Sequence, residues 1–140
     1  MSFIFDEFEQ KFGQDENSVR QLNPLVLASV GDAYYSLCVR CFLVAHHDYN
    51  ASALHREASK LVCARAQKEA FFLIEDSLSE NEEYIAKRGR NSHPATVPKN
   101  ADVNDYRIAT AFEALLGYLY ICKKEERLNE IIKKVLENKR

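Results

Sequence analysis

Breaker residues are scarce in this sequence. Three prolines and four glycines in 140 residues exclude a low-complexity chain and leave long stretches uninterrupted for regular structure. No window offers the roughly 18 apolar residues needed to span a bilayer, and the opening MSFIFDEFEQKF is too acidic, with too short an apolar run, for a secretory signal. A cytoplasmic location and no membrane partner are expected. The four cysteines, Cys38, Cys41, Cys63 and Cys122, lie within apolar helical patterns, which predicts small core side chains in a reducing compartment. Cys38 and Cys41 form a C-x-x-C, but no second pair, no H-x-x-x-H and no glycine-rich knuckle accompanies them, which argues against zinc. G-x-S-x-G is absent too, so nothing points to a covalent nucleophile. No internal repeat and no alternating strand pattern occurs.

What remains is helical. With 46% hydrophobic and 29% charged residues, the chain is long enough to bury one substantial core. An amphipathic extension is expected over residues 1–17, where Phe5, Phe8 and Phe12 share a face, ahead of one domain over residues 18–140. After a polar break at 13–18, Asn23-Pro24 supplies a cap and first helical residue for a long helix through Ala45. Two helices over 53–62 and 64–76 are divided near Cys63. Ser79 caps a helix with acids first and bases last, ended by Gly89. An irregular segment with two prolines spans 91–103, and helices follow over 104–122 and 124–138. The fold class is therefore all-α, with about seven helices.

Two of these helices carry residues that a core helix avoids. ATAFEALLGYLY, residues 109–120, holds Glu113 and Gly117, and LVLASVGDAYYSL holds Gly31 and Asp32. A glycine inside a helix costs about 1 kcal/mol relative to alanine, and its usual compensation is a second backbone passing close. Glu113 shares a face with Gly117, and Asp32 adjoins Gly31. A crossing at the glycines would bring the two acids together at its edge. Carboxylates so placed repel unless a proton or a cation intervenes, and a hard divalent ion such as Mg²⁺ takes such oxygens together with phosphate. Pairing with Arg40 or Arg107, or plain exposure, are the competing uses of the two acids.

These segments carry a resemblance. LNPLVLASVGDAYYSLCVR, SALHREASKLVCARAQ, KRGRN, PKNADVNDYRIATAFEALLGYLY and KKEERLNEII are together similar to Mini-III ribonucleases, short bacterial relatives of ribonuclease III, from about Leu22 to Ile132. The resemblance implies an all-helical ribonuclease III-like endonuclease domain, homodimeric, cleaving double-stranded RNA with Mg²⁺ (Mn²⁺ as a substitute) and leaving 5′-phosphate ends. It also implies a part in maturing large-subunit (23S) ribosomal RNA precursor. Asp32 and Glu113 match the family's G-D-A aspartate and E-A-L-L-G glutamate, the metal-holding catalytic acids. Two further acids of full-length ribonuclease III correspond here to Ala28 and Thr110. Thr110, Asp102 and Asp105 are the residues that could assist in their place.

Duplex RNA is read through phosphates and 2′-hydroxyls, which calls for Lys, Arg and Asn donors. Net charge is −2, but residues 1–16 hold five acids against Lys11 alone, so the rest of the chain is slightly basic. Lys87, Arg88, Arg90, Asn91, Lys99 and Asn100 around the irregular segment form one candidate RNA-binding set, and His55, Lys60, Arg65 and Lys68 form a second. The missing acids at 28 and 110 keep an alternative open: a catalytically silent RNA-binding or ribosome-associated module on the same fold.

Overall fold

Helix starts follow the side chains that can cap them. Asn23 accepts from the Leu25 N–H with Pro24 at the first helical position, and Asn50 accepts from Ala53. Ser79 and Glu82 exchange hydrogen bonds in a full capping box, while Asp102 accepts from Asn104 and Asp105. The computed structural model describes residues 2–92 and 102–139. In chain order the helices are α1 (Phe3–Phe12), α2 (Glu16–Arg20), α3 (Pro24–His46), α4 (Ala51–Val62) and α5 (Ala64–Ile74), then a 3₁₀ turn (Glu75–Ser77), α6 (Glu80–Arg90), α7 (Val103–Ile121) and α8 (Glu125–Glu137). The described residues contain no strand.

Helix α7 is the centre. Its buried residues run from Ile108 through Tyr118 to Ile121 with almost no polar face, the pattern of a helix enclosed on all sides. Helices α3, α5 and α6 pack around it, and α8 covers the remaining side with Leu128, Ile131 and Val135. Arg127 holds α8 to α6 through Glu82 at 2.9 and 3.0 Å and reaches the Ser77 carbonyl at 3.1 Å. On the flank, Phe5 of α1 lies tilted against Tyr120 and Phe8 meets the same ring edge-to-face.

Several expectations change. The polar break after Gly13 contains a short helix, α2, capped by Asp15, so eight helices are described rather than about seven. Helix α6 ends at Arg90, one residue beyond Gly89, and the glycine serves a close approach instead: a Cβ there would sit 2.9 Å from Ala114 Cβ and 3.0 Å from the Thr110 carbonyl of α7. No cysteine is fully buried: Cys41 and Cys63 are exposed, and Cys38 and Cys122 half-buried. Cys41 lies on the outward side of α3, and Cys63 is the bend between α4 and α5. Finally, α3 is long and apolar enough to cross a membrane, contrary to the expectation of no such segment. One side of it is core, through the buried Leu27, Tyr35, Val39 and Leu43, and the other is an apolar stripe.

Candidate active site and nucleic-acid face

The four unusual residues of α3 and α7 meet at one crossing. A Cβ on Gly31 would overlap the Glu113 carbonyl, and one on Gly117 would overlap the Leu27 carbonyl. Each glycine thus receives a carbonyl of the opposite helix that lies one turn before that helix's own glycine, and no larger residue permits that approach. The contact puts the side chains of Asp32 and Glu113 within hydrogen-bonding reach of each other. Asp32 stands at the exposed rim and Glu113 is half-buried behind it.

Electrostatics follow from this placement. Burial pushes the Glu113 carboxyl up to about 8, the hydrogen bond and charge of Asp32 push the same way, and only a hydrogen bond from Gln67 opposes them. A half-buried acid beside a second carboxylate keeps its proton unless a cation replaces it. Neither arginine considered in the sequence answers that need: Arg40 turns back to the Ser36 hydroxyl and carbonyl, and Arg107 is exposed. Groups of three or more His, Cys, Asp or Glu suited to a metal are absent among the described residues. The chain's own donor set is therefore two carboxylates. That number of hard oxygens fits Mg²⁺, which usually takes one or two carboxylates and completes its shell with water and substrate phosphate.

The residues that could replace the missing acids are engaged elsewhere. Ala28 is buried. The Thr110 hydroxyl donates to the Tyr106 carbonyl at 2.8 Å within its own helix. Asp102 is spent on the N-cap of α7, and Asp105 forms an ion pair with Lys68. A residue that sequence reasoning missed lies closer: Gln67 of α5, buried, reaches Glu113. Its signal was its register, since positions 67, 70, 71 and 74 form the buried face of α5.

The candidate RNA-binding residues separate into three groups. Lys87, Arg90 and Asn91 are exposed at the C-terminal end of α6 and line an open cleft with Phe71, Leu78 and Ala111. His55, Lys60 and Arg65 are exposed on α4 and α5, with Lys60 on Glu57 at 2.8 Å and Arg65 near Glu69 at 3.7 Å. Arg88 and Lys68 are turned to the protein instead. The Arg88 guanidinium donates to the carbonyls of Arg20 and Leu22 at 2.6 and 3.0 Å, closing the end of α2, and Lys68 is tied to Asp105. Lys99 and Asn100 lie outside the described residues.

With this geometry in place, comparison with known proteins defines the class. A profile of the Ribonuclease III domain family matches residues 25–124, which contain both acids and both crossing glycines. Mini-ribonuclease 3 of Brevibacillus brevis is 50% identical over 110 residues, covering 79% of this chain and 82% of the relative. The Clostridium tetani Mini-ribonuclease 3 is 39% identical over 135 residues, covering 96% and 85%. A crystal structure of a Fusobacterium nucleatum protein superposes with a TM-score of 0.79 at 33% identity, over 87% of this chain and 98% of that one. The chain belongs to the ribonuclease III domain family, in its Mini-ribonuclease 3 branch. It is accordingly an endoribonuclease.

Proposed function

We propose that this endoribonuclease, whose family acts on double-stranded RNA, cleaves duplex RNA hydrolytically with Mg²⁺ held by Asp32 and Glu113. The observation that carries the reading is the meeting of these two acids at the Gly31–Gly117 crossing, with Glu113 raised to about 8 by burial and by its neighbour. Bound Mg²⁺ would supply Lewis acidity toward the scissile phosphate and the attacking water. Asp32, at the exposed rim, and Glu113, half-buried behind it, would hold the cation, with Glu113 in its deprotonated form. The glycine crossing fixes the separation of the two acids through backbone rather than flexible side chains, which is the preorganisation that an electrostatic catalyst needs. Attack by water, with no protein nucleophile, leaves a 5′-phosphate and a 3′-hydroxyl.

RNA would be held by the exposed donors Lys87, Arg90 and Asn91, with His55, Lys60 and Arg65 as the second set. Lys99 and Asn100 stay in the proposed surface on their chemistry alone, while Arg88 and Lys68 contribute by bracing it. A homodimer is supported by the outward stripe of α3. Val26, Leu37 and Val44 are 50%, 61% and 63% exposed, and with Val30, Ala33 and Cys41 they form an apolar band that a second copy would cover. Residues 1–17 are an extension outside the catalytic domain. A cytoplasmic role in 23S precursor maturation is the physiological setting we infer.

The test is cleavage of a long RNA duplex by the full chain, with and without Mg²⁺. Cleavage that needs the ion and is lost in both Asp32→Asn and Glu113→Gln, with helical content retained, supports the reading. Metal-independent cleavage, or full activity in both variants, overturns it.

A further inference from the structure

A buried amide faces the two acids from a third helix. Gln67 is 2% exposed, and a polar side chain so placed has to find partners for its donors and its acceptor. Its nitrogen donates to the Val62 carbonyl at 2.9 Å. That carbonyl ends α4, and the extended backbone of Cys63, at φ −68° and ψ 162°, separates it from the start of α5. The same side chain lies beside the Glu113 carboxyl and favours its charged form. Its Oε1 is buried and has no partner. The amide plane is therefore set by backbone at the α4–α5 bend, independently of the carboxylate it touches. An unbranched apolar side chain of similar length would fill this place without leaving a polar atom unpaired, so packing alone does not account for a glutamine.

We propose that Gln67 is a positioning residue for the site: pinned to the Val62 carbonyl, it holds the Glu113 carboxylate in the orientation that meets Asp32. The inference rests on the Mg²⁺ reading above and adds a residue from α5 to a site otherwise built by α3 and α7. Without the amide beside it the carboxyl group keeps only its Asp32 neighbour, and the paired oxygens are less firmly preset. The proposed RNA donors Lys87, Arg90 and Asn91 stand at the C-terminal end of a different helix, α6. Metal affinity and turnover should therefore fall while duplex affinity stays.

Gln67→Met keeps the length and apolar stem of the side chain and removes the amide. Mn²⁺ binding to the metal-free full chain, followed by electron paramagnetic resonance, is the deciding measurement, with steady-state cleavage of an RNA duplex beside it. The expected result is Mn²⁺ affinity and kcat each lower by about tenfold or more, the effect of removing an outer hydrogen-bond partner of a ligand, with KM changed by less than about twofold. Mn²⁺ affinity within about twofold of wild type, whatever happens to the melting temperature, makes Gln67 a structural clamp only and overturns the inference. If Gln67→Met does not fold, the wild-type side-chain amide resonances decide. Those of Gln67 should move on saturation with Mg²⁺ while those of Gln21, which reaches Tyr84 Oη at 3.4 Å elsewhere, stay in place. A Gln67 signal that does not move overturns the inference. Wild-type protein that neither binds Mn²⁺ nor cleaves removes the Mg²⁺ reading and this inference with it. Wild-type protein that does both, beside an unaltered Gln67→Met, removes the inference alone.

Discussion

Replacing Glu113 by glutamine should stabilise the metal-free protein while abolishing its activity. The carboxyl of Glu113 titrates near 4.5 in its unperturbed state and at about 8 in the folded chain. Between those values the folded protein holds a proton that the unfolded chain has lost. Stability contributed by this group is therefore complete below pH 4.5, declines as pH rises through the interval, and levels off above about 8. At about 1.4 kcal/mol per pH unit over that interval, the decline amounts to roughly 5 kcal/mol. Glu113→Gln cannot ionise, so its stability should cross above wild type and stay higher at alkaline pH. Urea unfolding in the presence of a chelator, from about pH 5.5 to about pH 9, reads both profiles. Adding Mg²⁺ at the alkaline end should recover much of the wild-type loss and none of the variant's difference, because only the wild type exchanges repulsion for ligation. Superimposed profiles for the two proteins would refute the placement of a strained carboxyl at the crossing.

Other consequences follow from single contacts. Gly31→Ala should cost about 2–3 kcal/mol or more, because its Cβ meets the backbone of Glu113 and only separation of α3 from α7 relieves it; thermal melting measures this. Arg88→Ala should lower the melting temperature more than it lowers duplex affinity, since its guanidinium is bound to the carbonyls of Arg20 and Leu22. The double variant Lys87→Ala/Arg90→Ala should leave the melting temperature nearly unchanged and flatten the salt dependence of RNA binding by about one counterion per lost phosphate contact. Leu37→Glu, on the outward stripe of α3, should shift the protein toward monomer in analytical ultracentrifugation.

The parts of the fold legible in the sequence are those where residue types contradict their surroundings. Gly31 and Asp32 interrupt one apolar run, Glu113 and Gly117 another, and such costly choices point to a close crossing on residue type alone. The capping residues Asn23 and Ser79 marked their helices for a similar reason: a side-chain oxygen beside unpaired N–H groups has a local use. Contacts to backbone carbonyls were not legible. Arg88 reads as one more base in KRGR, yet it turns inward because the chain end of α2 presents two carbonyls that no residue type announces. Gln67 is hidden in the same way, between Ala66 and Lys68, since its partners are a carbonyl at a helix bend and an acid 46 positions later. Gly89 was misread as a terminator because the sequence does not show that α7 runs beside it. Helix α2, five residues long, is too short to carry a period.

The most direct measurement is the anomalous scattering of crystals of the full chain grown with Mn²⁺. The expected result is a peak shared by the Asp32 and Glu113 carboxylates at the α3–α7 crossing, lost in Glu113→Gln. A peak bound elsewhere on the protein, or none at that crossing under saturating Mn²⁺, would contradict it.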